Sequence, residues 1–511
     1  MNANFYLAID ATARRLRSKA CWIVPGRGAW LYEQLRSETA RYARGLRALG
    51  VRPGDRLLAQ VEKSAESLLL YLACLRAGAV YVPLNTAYTA NEVRYFAADC
   101  EPRVMLVDGA RAQGLRAVAA DCRATLLTMD ATGAGDWAKH LTDGAAVQSA
   151  IDAAVSPRQS GDLAAIVYTS GTTGRAKGAM ITHGNLESNA RALMTLWACA
   201  ESDMLLHALP TYHIHGLFVA LHCALLAGAT LHLLPKFDLD HVLGSLPACT
   251  VFMGVPTYYT RLLADTRFSR ALLGNMRLFV SGSAPLSPTT FAEFERRSGH
   301  RILERYGMSE AGIIASNPYD GERIAGSVGF ALPGVSVRVA DSHGIELPRG
   351  QAGVLEIKGP NLFQGYWRMA EQTAQESRAD GYFITGDIAT MAEDGRVSIV
   401  GRAKDLVISG GLNIYPREIE VEIDRIPGVQ ESAVIGVPHS DFGEAVVAVV
   451  ALTQAGAISE LQLLQSLMGR LAKFKQPRRA FFVENLPRNA MGKVQKVRLR
   501  ELYADTFKAT S

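Results

Sequence analysis

Eleven residues constrain this chain more than any other stretch: Tyr168-Thr-Ser-Gly-Thr-Thr-Gly-Arg-Ala-Lys-Gly178. They hold three glycines, four Ser or Thr hydroxyls and one lysine. Apolar runs bracket them, Leu163 to Val167 before and Ala179-Met-Ile181 after, and both have strand character. Glycines let backbone N–H groups approach an anion closely, hydroxyls add donors, and Lys177 adds a point charge. A loop of this make-up between two strands suits a polyphosphate. A plain surface turn rich in Gly and Thr rarely collects so many anion-binding residue types in one place. It is not a Walker A loop, which needs Gly-Lys followed by Ser or Thr, because Gly178 follows Lys177.

The chain has 511 residues, room for about three domains of average size. Hydrophobic residues make up 49% and charged residues 20%, the balance of a globular protein with a buried core. The net charge of +5 is too small at this length to argue for nucleic acid. A local basic patch for an anionic small molecule is enough to account for it. Seven cysteines lie scattered between Cys21 and Cys249 with no C-x-x-C pair. That pattern fits a reducing compartment, with neither a disulfide frame nor a zinc site. The N-terminus lacks the basic start and apolar core of a secretory signal. The longest apolar stretch, 216–235, is broken by His222, Gly228 and His232, which argues against a membrane span. A cytoplasmic protein is expected, with no membrane and no nucleic-acid partner.

Strand and helix signals alternate through the first two thirds. Helical periodicity covers 30–44, 65–77, 185–199 and 217–227; strands read at 56–61, 80–83, 103–108, 231–235, 251–254 and 278–281. That alternation predicts a parallel, helix-covered sheet. Past Gly334 short strands at 335–339, 354–358 and 397–400 replace the helices and predict a β subdomain. From Gly401 a tail with its own core pattern begins: a strand at 406–409, Gly410-Gly411, a helix over 416–426, strands at 431–437 and 445–452, and a helix over 459–474. The expected fold class is α/β. Residues 1–403 form a large domain of helix-covered sheets with a β subdomain, and 404–511 a small, mobile α+β domain.

Six segments in order carry a resemblance: Tyr168–Gly178, Tyr306-Gly-Met-Ser-Glu310, Thr385-Gly-Asp387, Gly401-Arg-Ala-Lys-Asp-Leu406, Ser409-Gly-Gly-Leu-Asn-Ile-Tyr-Pro416 and Pro487-Arg-Asn-Ala-Met-Gly-Lys493. Their order and spacing resemble the adenylate-forming superfamily over about residues 25 to 505. Within it, Pro83–Thr89, His207–Leu217, Met276–Leu286, Leu303–Met308 and Ala472–Lys475 are similar to the malonyl-CoA synthetases. The resemblance implies ATP, Mg²⁺ and coenzyme A. A carboxylate attacks the α-phosphate of ATP, pyrophosphate leaves, and the thiol of coenzyme A then displaces AMP. Charge concentrates in the first step, so catalysis there is positioning and electrostatics.

The resemblance also assigns roles residue by residue. Thr169, Ser170, Gly171, Thr172, Thr173, Gly174 and Lys177 would hold the β- and γ-phosphates. Tyr306 would stack on adenine with Gly307 allowing close approach, and Ser309 keeps the hydroxyl of the family's commoner Thr. Asp387 and Arg402 would hold the ribose, and Glu310 with Thr169 would meet Mg²⁺. Lys493 would bridge the carboxylate and α-phosphate, and His213, ahead of His215, would gate the acid pocket. Each has a plainer alternative: a solvated lysine, a Gly-Asp turn, a core tyrosine, a helix cap, a satisfied core histidine. A second negative charge on the acid needs a partner if buried. Arg277, just before the apolar strand 278–280, is the expected partner, with Ser283 and Met308 lining the pocket. The apolar run Ala311-Gly-Ile-Ile-Ala315 leaves room for methylmalonate or another small acid.

For the second half-reaction the family rotates its C-terminal domain. Lys404 takes the hinge position, Gly410 and Gly411 line the pantetheine channel, and Lys473 contacts the nucleotide of coenzyme A. The family also implies a monomer or homodimer, and a lysine acetyltransferase whose removal of the Lys493 charge would switch off adenylation. Two other readings stay open: loading of a carrier-protein phosphopantetheine, and a non-catalytic nucleotide sensor, which predicts broken motifs.

Overall fold

The structure is a computed structural model and describes residues 2–142, 154–169, 176–409, 412–439, 442–489 and 492–507. Two large sheets, a small antiparallel sheet and a C-terminal sheet make up the described residues.

The first large sheet has the order Thr125–Thr128, Val104–Val107, Arg56–Gln60, Val80–Pro83, Leu163–Thr169, Lys177–Thr182. All its pairs are parallel except the last. Helix Ala65–Ala77 shows how the sequence builds a crossover. Ser64 caps it, its side chain accepting from Ser67 N at 3.1 Å. Gly78 ends it at φ +77°, a conformation that favours glycine. Every residue between is buried, because the helix is wedged between layers and has no solvent face.

The second large sheet has nine strands and a parallel centre: Ala20–Val24, Thr230–Leu233, Met204–His207, Val251–Gly254, Leu278–Ser281 and Leu303–Met308. Its short runs of Leu, Val and Phe are buried on both faces, as parallel strands must be. One hydrophobic core of Tyr, Trp, Leu and Ala side chains joins the two sheets.

Antiparallel strands Ser336–Ala340, Gly353–Lys358, Phe383–Met391 and Val397–Arg402 form the small sheet. After the turn Ala403–Asp405 the chain enters the C-terminal sheet at Val407. That sheet has separate cores on its two faces. Helix Glu460–Ser466 stops well short of 474, and residues 473–475 form a separate 3₁₀ turn. The expected helix at 217–227 begins earlier, as a π-helix over His215–Ala220 that runs into Leu221–Ala227. All seven cysteines are free. No helix among the described residues is long and apolar enough to cross a membrane.

Candidate active site

Strands Met204–His207, Val251–Gly254, Leu278–Ser281 and Leu303–Met308 run parallel, so His207, Gly254, Ser281 and Met308 end on one edge of the sheet. Open parallel sheets bind ligands off that carboxyl edge. Residues from the small sheet and the C-terminal domain meet it there.

Tyr306, near the end of its strand, donates its hydroxyl to Asp387 Oδ2. Arg402 Nε lies 2.6 Å from Asp387 Oδ1. Asp387 and Arg402 are register partners across two antiparallel strands, which is why they meet. Gly307 has no room for a side chain, since a Cβ there would collide with the Gly312 carbonyl of the paired strand. Ser309 and Glu310 follow the strand end.

Glu310 is 7% exposed, and burial raises its pKa. Its Oε1 accepts from Tyr366 Oη at 3.0 Å. Lys177 begins the strand after the Gly-Thr loop, opposite Thr169 in the ladder. Its ammonium pairs with Glu376 Oε1 at 2.5 Å and lies 4.5 Å from the centre of the Tyr366 ring.

Lys493 enters from the C-terminal domain. It follows a tight turn closed by Gly492 N to Asn489 O and Asn489 N to Lys493 O, both 2.9 Å. Gly492 in that turn faces Thr257 of the large domain. A cavity of about 240 Å³ lies beside the turn, lined by Pro210, Val255, Thr257, Tyr258, Arg488 and Asn489. Lys493 keeps surface open to solvent, yet protein walls surround its ammonium closely. Burial lowers its pKa, with Arg402 adding repulsion while Asp387 and Glu310 oppose it. The Lys493 charge reaches His213. His213 faces it, and burial together with the Lys493 charge pushes His213 down to about 3. His213 is therefore neutral at physiological pH.

A second buried group at this edge of the sheet is Arg305. This residue precedes Tyr306 on the same strand, so its side chain leaves by the opposite face. It is 4% exposed. Its Nε and Nη2 have no hydrogen-bond partner among the described residues. Burial lowers its pKa to about 9. Gly282 lies against the guanidinium, where a Cβ would collide with it. His215 is close by: burial and the Arg305 charge hold it well below its usual pKa, and its Nε2 is also unpartnered. Ser283 Oγ lies 3.4 Å from His215 Nδ1 and sits at φ +71°, unusual for a residue with a side chain.

Residues 9–367 match the family described as AMP-binding enzyme, and residues 418–493 match the AMP-binding enzyme C-terminal domain. The chain belongs to the AMP-binding enzyme family. Among solved structures it is similar to ATP-bound MatB from Rhodopseudomonas palustris, at 50% identity and a TM-score of 0.96, over 99% of this chain and 100% of that one. Among curated proteins it is 34% identical to a malonate–CoA ligase of Arabidopsis thaliana, over 91% of this chain and 80% of that protein. It is 35% identical to a feruloyl-CoA synthase of an Amycolatopsis species, over 96% and 97%.

In this AMP-binding enzyme the structure gathers Thr169, Lys177, Tyr306, Gly307, Met308, Ser309, Glu310, Asp387, Arg402, His213, Ser283 and Lys493 around one cleft. Ser170, Gly171, Thr172, Thr173 and Gly174 lie outside the described residues, as do Gly410 and Gly411. Lys404 is exposed in the turn Ala403–Asp405, where the chain passes from the small sheet to the C-terminal sheet. Lys473 is exposed on its 3₁₀ turn.

Arg277 is a correction. It precedes the first residue of its strand, at the amino end, about 13 Å of extended chain from the carboxyl edge. Its guanidinium is already engaged. Nε and Nη2 donate to Asp203 at 2.7 and 2.6 Å, and Nη1 and Nη2 donate to the Trp197 and Ala198 carbonyls at 3.1 and 3.0 Å. It holds the fold at the amino end of its strand, away from the carboxyl edge. The buried arginine with unpartnered nitrogens, Arg305, lies inside the strand Leu303-Glu-Arg-Tyr-Gly-Met308. A charged residue inside a buried parallel strand was the signal. Tyr366 and Glu376 carried no signal of their own, because their meaning comes from Glu310 and Lys177, distant in sequence.

Proposed function

We propose that this chain ligates malonate to coenzyme A through a malonyl-adenylate, with release of AMP and pyrophosphate. The observation that carries the acid is Arg305. A buried guanidinium with two nitrogens unpartnered among the described residues is costly and calls for an anion. A dicarboxylate supplies one: its first carboxylate attacks the nucleotide and its second pairs with Arg305, with His215 and Ser283 beside it. Ferulate has an aromatic ring where that second charge would be and leaves Arg305 unpaired. Ala311, Ile313, Ile314 and Ala315 are all buried, and the apolar character of this stretch leaves methylmalonate as a second substrate.

The nucleotide lies with its ribose at Asp387 and Arg402, its adenine on Tyr306 and its phosphates at the loop from Thr169 to Lys177. Lys493 bridges the attacking carboxylate and the α-phosphate, and neutral His213 keeps the reacting oxygen in register. Glu310 and the Thr169 hydroxyl would hold a Mg²⁺ that also binds the nucleotide. No group of three metal-ligating side chains stands among the described residues, and one carboxylate, Glu310, with the Thr169 hydroxyl suits an ion that keeps phosphate and water ligands. When bound, it neutralises charge on the phosphates. Domain rotation about Lys404 then removes Lys493 and admits the thiol.

The test is AMP formation with coenzyme A across malonate, methylmalonate, acetate, octanoate, benzoate and ferulate. Malonate should lead. A preference for octanoate or an aromatic acid would overturn the reading.

A further inference from the structure

Residues Phe363 to Trp367 form a strap across the site. On one side Phe363 N donates to the carbonyl of Glu310 at 2.7 Å. On the other, Gln364 N donates to Met180 O and Met180 N to Gly365 O, both at 3.0 Å, and Trp367 N donates to Gly178 O at 2.7 Å. The strap therefore stitches Glu310 to the strand that begins at Lys177.

Its Tyr366 side chain repeats the connection. The hydroxyl lies 3.0 Å from Glu310 Oε1 and 2.8 Å from Glu376 Oε2. The ring carries the Lys177 ammonium on its face at 4.5 Å. Glu376 in turn takes Lys177 at 2.5 Å and Gln372 Nε2 at 2.7 Å. A phenol has one proton to give, so the two carboxylates compete for it. Lys177 already compensates the charge of Glu376, which leaves the Tyr366 proton free for Glu310.

We infer that Tyr366 and Glu376 are positioning residues for adenylation. Glu376 holds the Lys177 ammonium against the Tyr366 ring, and Tyr366 fixes the Glu310 carboxylate. The two ends of the phosphate site are thereby set at one spacing before nucleotide arrives. Lys177 acts from this pair, and Glu376 is a clamp on it. The alternative, that Glu376 merely occupies Lys177 until phosphate displaces it, predicts the opposite sign.

The inference rests on the ligase reading only for the half-reactions it names. Full-length Tyr366→Phe and Glu376→Gln are compared with wild type in three assays. These are MgATP binding by titration calorimetry without acid, ATP–pyrophosphate exchange with malonate, and thioester formation from supplied malonyl-adenylate. Each variant loses one hydrogen bond or ion pair to a charged group, so MgATP affinity should fall by about tenfold or more. Half-maximal exchange should need more Mg²⁺, while thioester formation from supplied adenylate stays near wild type. Lys177→Met combined with Glu376→Gln should be little worse than either alone, because the two act as a unit. MgATP binding by Glu376→Gln as tight as wild type or tighter overturns the inference. So does an equal loss in both half-reactions, which would mark a purely structural role. Wild type that fails to exchange with malonate sinks the ligase reading instead, and MgATP binding still decides the clamp.

Discussion

Replacing Arg305 with leucine should separate two effects that usually move together. Burial holds the free arginine's pKa at about 9, well below its usual value. At ~1.4 kcal/mol per tenfold change in proton affinity, keeping it charged costs roughly 5 kcal/mol. The sign follows from the direction of the shift. A base whose folded pKa is depressed binds its proton less well when folded, so the cost is fully present below pH 9 and fades as pH rises above it. At neutral pH a leucine removes the whole of it. Part of that gain is lost to imperfect packing, and exchanges of buried ionic groups for apolar ones stabilise by about 1–4 kcal/mol. Arg305→Leu should therefore melt at least as high as wild type in the absence of ligand. Its use of malonate should collapse. A carboxylate delivered to a leucine finds no charged partner, a loss of about 3–5 kcal/mol, so kcat/KM for malonate should fall by roughly 10²–10⁴-fold. KM for ATP should hold, because Tyr306 on the opposite face of the strand keeps its bond to Asp387. Butyrate, of similar length but with a methyl end, should gain relative to malonate. The assays are a thermal melt with and without malonate and AMP formation across the two acids. Malonate activity within about threefold of wild type would refute the assignment of Arg305, and a large fall in melting temperature would refute its being an uncompensated charge.

Three further outcomes follow from the same geometry. Lys493→Ala should lose adenylation yet still convert supplied malonyl-adenylate to thioester; equal loss in both assays would count against its place at the α-phosphate. Arg277→Ala should act on stability alone. It strips Asp203, buried and hydrogen-bonded to Thr250, of its guanidinium at a cost of roughly 3–5 kcal/mol, so urea unfolding should shift while KM for malonate does not. His213, held at about 3 by burial and by Lys493, is neutral through the physiological range. The kcat/KM profile for malonate should carry no histidine inflection between about pH 5.5 and 8, and an inflection in wild type that is lost in His213→Asn would show that it titrates there.

The fold was legible because its signals are local. Ser64 and Gly78 bracket a helix in sequence as they do in space, and the buried runs at 251–254 and 278–281 have no role but the centre of a parallel sheet. The helix expected over 459–474 was not, since Gly469 at φ +79° breaks it and the apolar periodicity continues past the break. At the site, residues carried by contiguous motifs came through: Asp387 and Arg402 pair across a ladder whose two strands each hold one motif. Arg277 and Arg305 mark where such reading stops. Both are arginines at buried strands, Arg277 just before one and Arg305 inside another. What separates them is which end of a parallel strand faces the ligand and what else stands nearby. Asp203, 74 residues from Arg277 in sequence, satisfies one guanidinium, while nothing among the described residues satisfies two of the nitrogens of the other. A partner's presence or absence is a property of the folded neighbourhood alone.

The two halves of the cleft are prepared in opposite ways, and that difference bears on selectivity. On the nucleotide side the charges are compensated before anything binds: Asp387 has Arg402 and Tyr306, and Lys177 has Glu376. ATP enters a site whose geometry is already set, which favours rate through preorganisation. At Arg305 two guanidinium nitrogens have no hydrogen-bond partner among the described residues, and a buried unpaired charge is costly. The right acid relieves that cost, and a wrong one leaves it in place. Discrimination against acetate or an aromatic acid therefore comes from the unrelieved charge as much as from fit. Sites that strand a buried polar group reject the incomplete analogue by about 10⁴–10⁵, far more than a hydrophobic pocket achieves against a missing methylene. A site can in this way be selective for a small dianion, because an unpaired buried charge does the selecting.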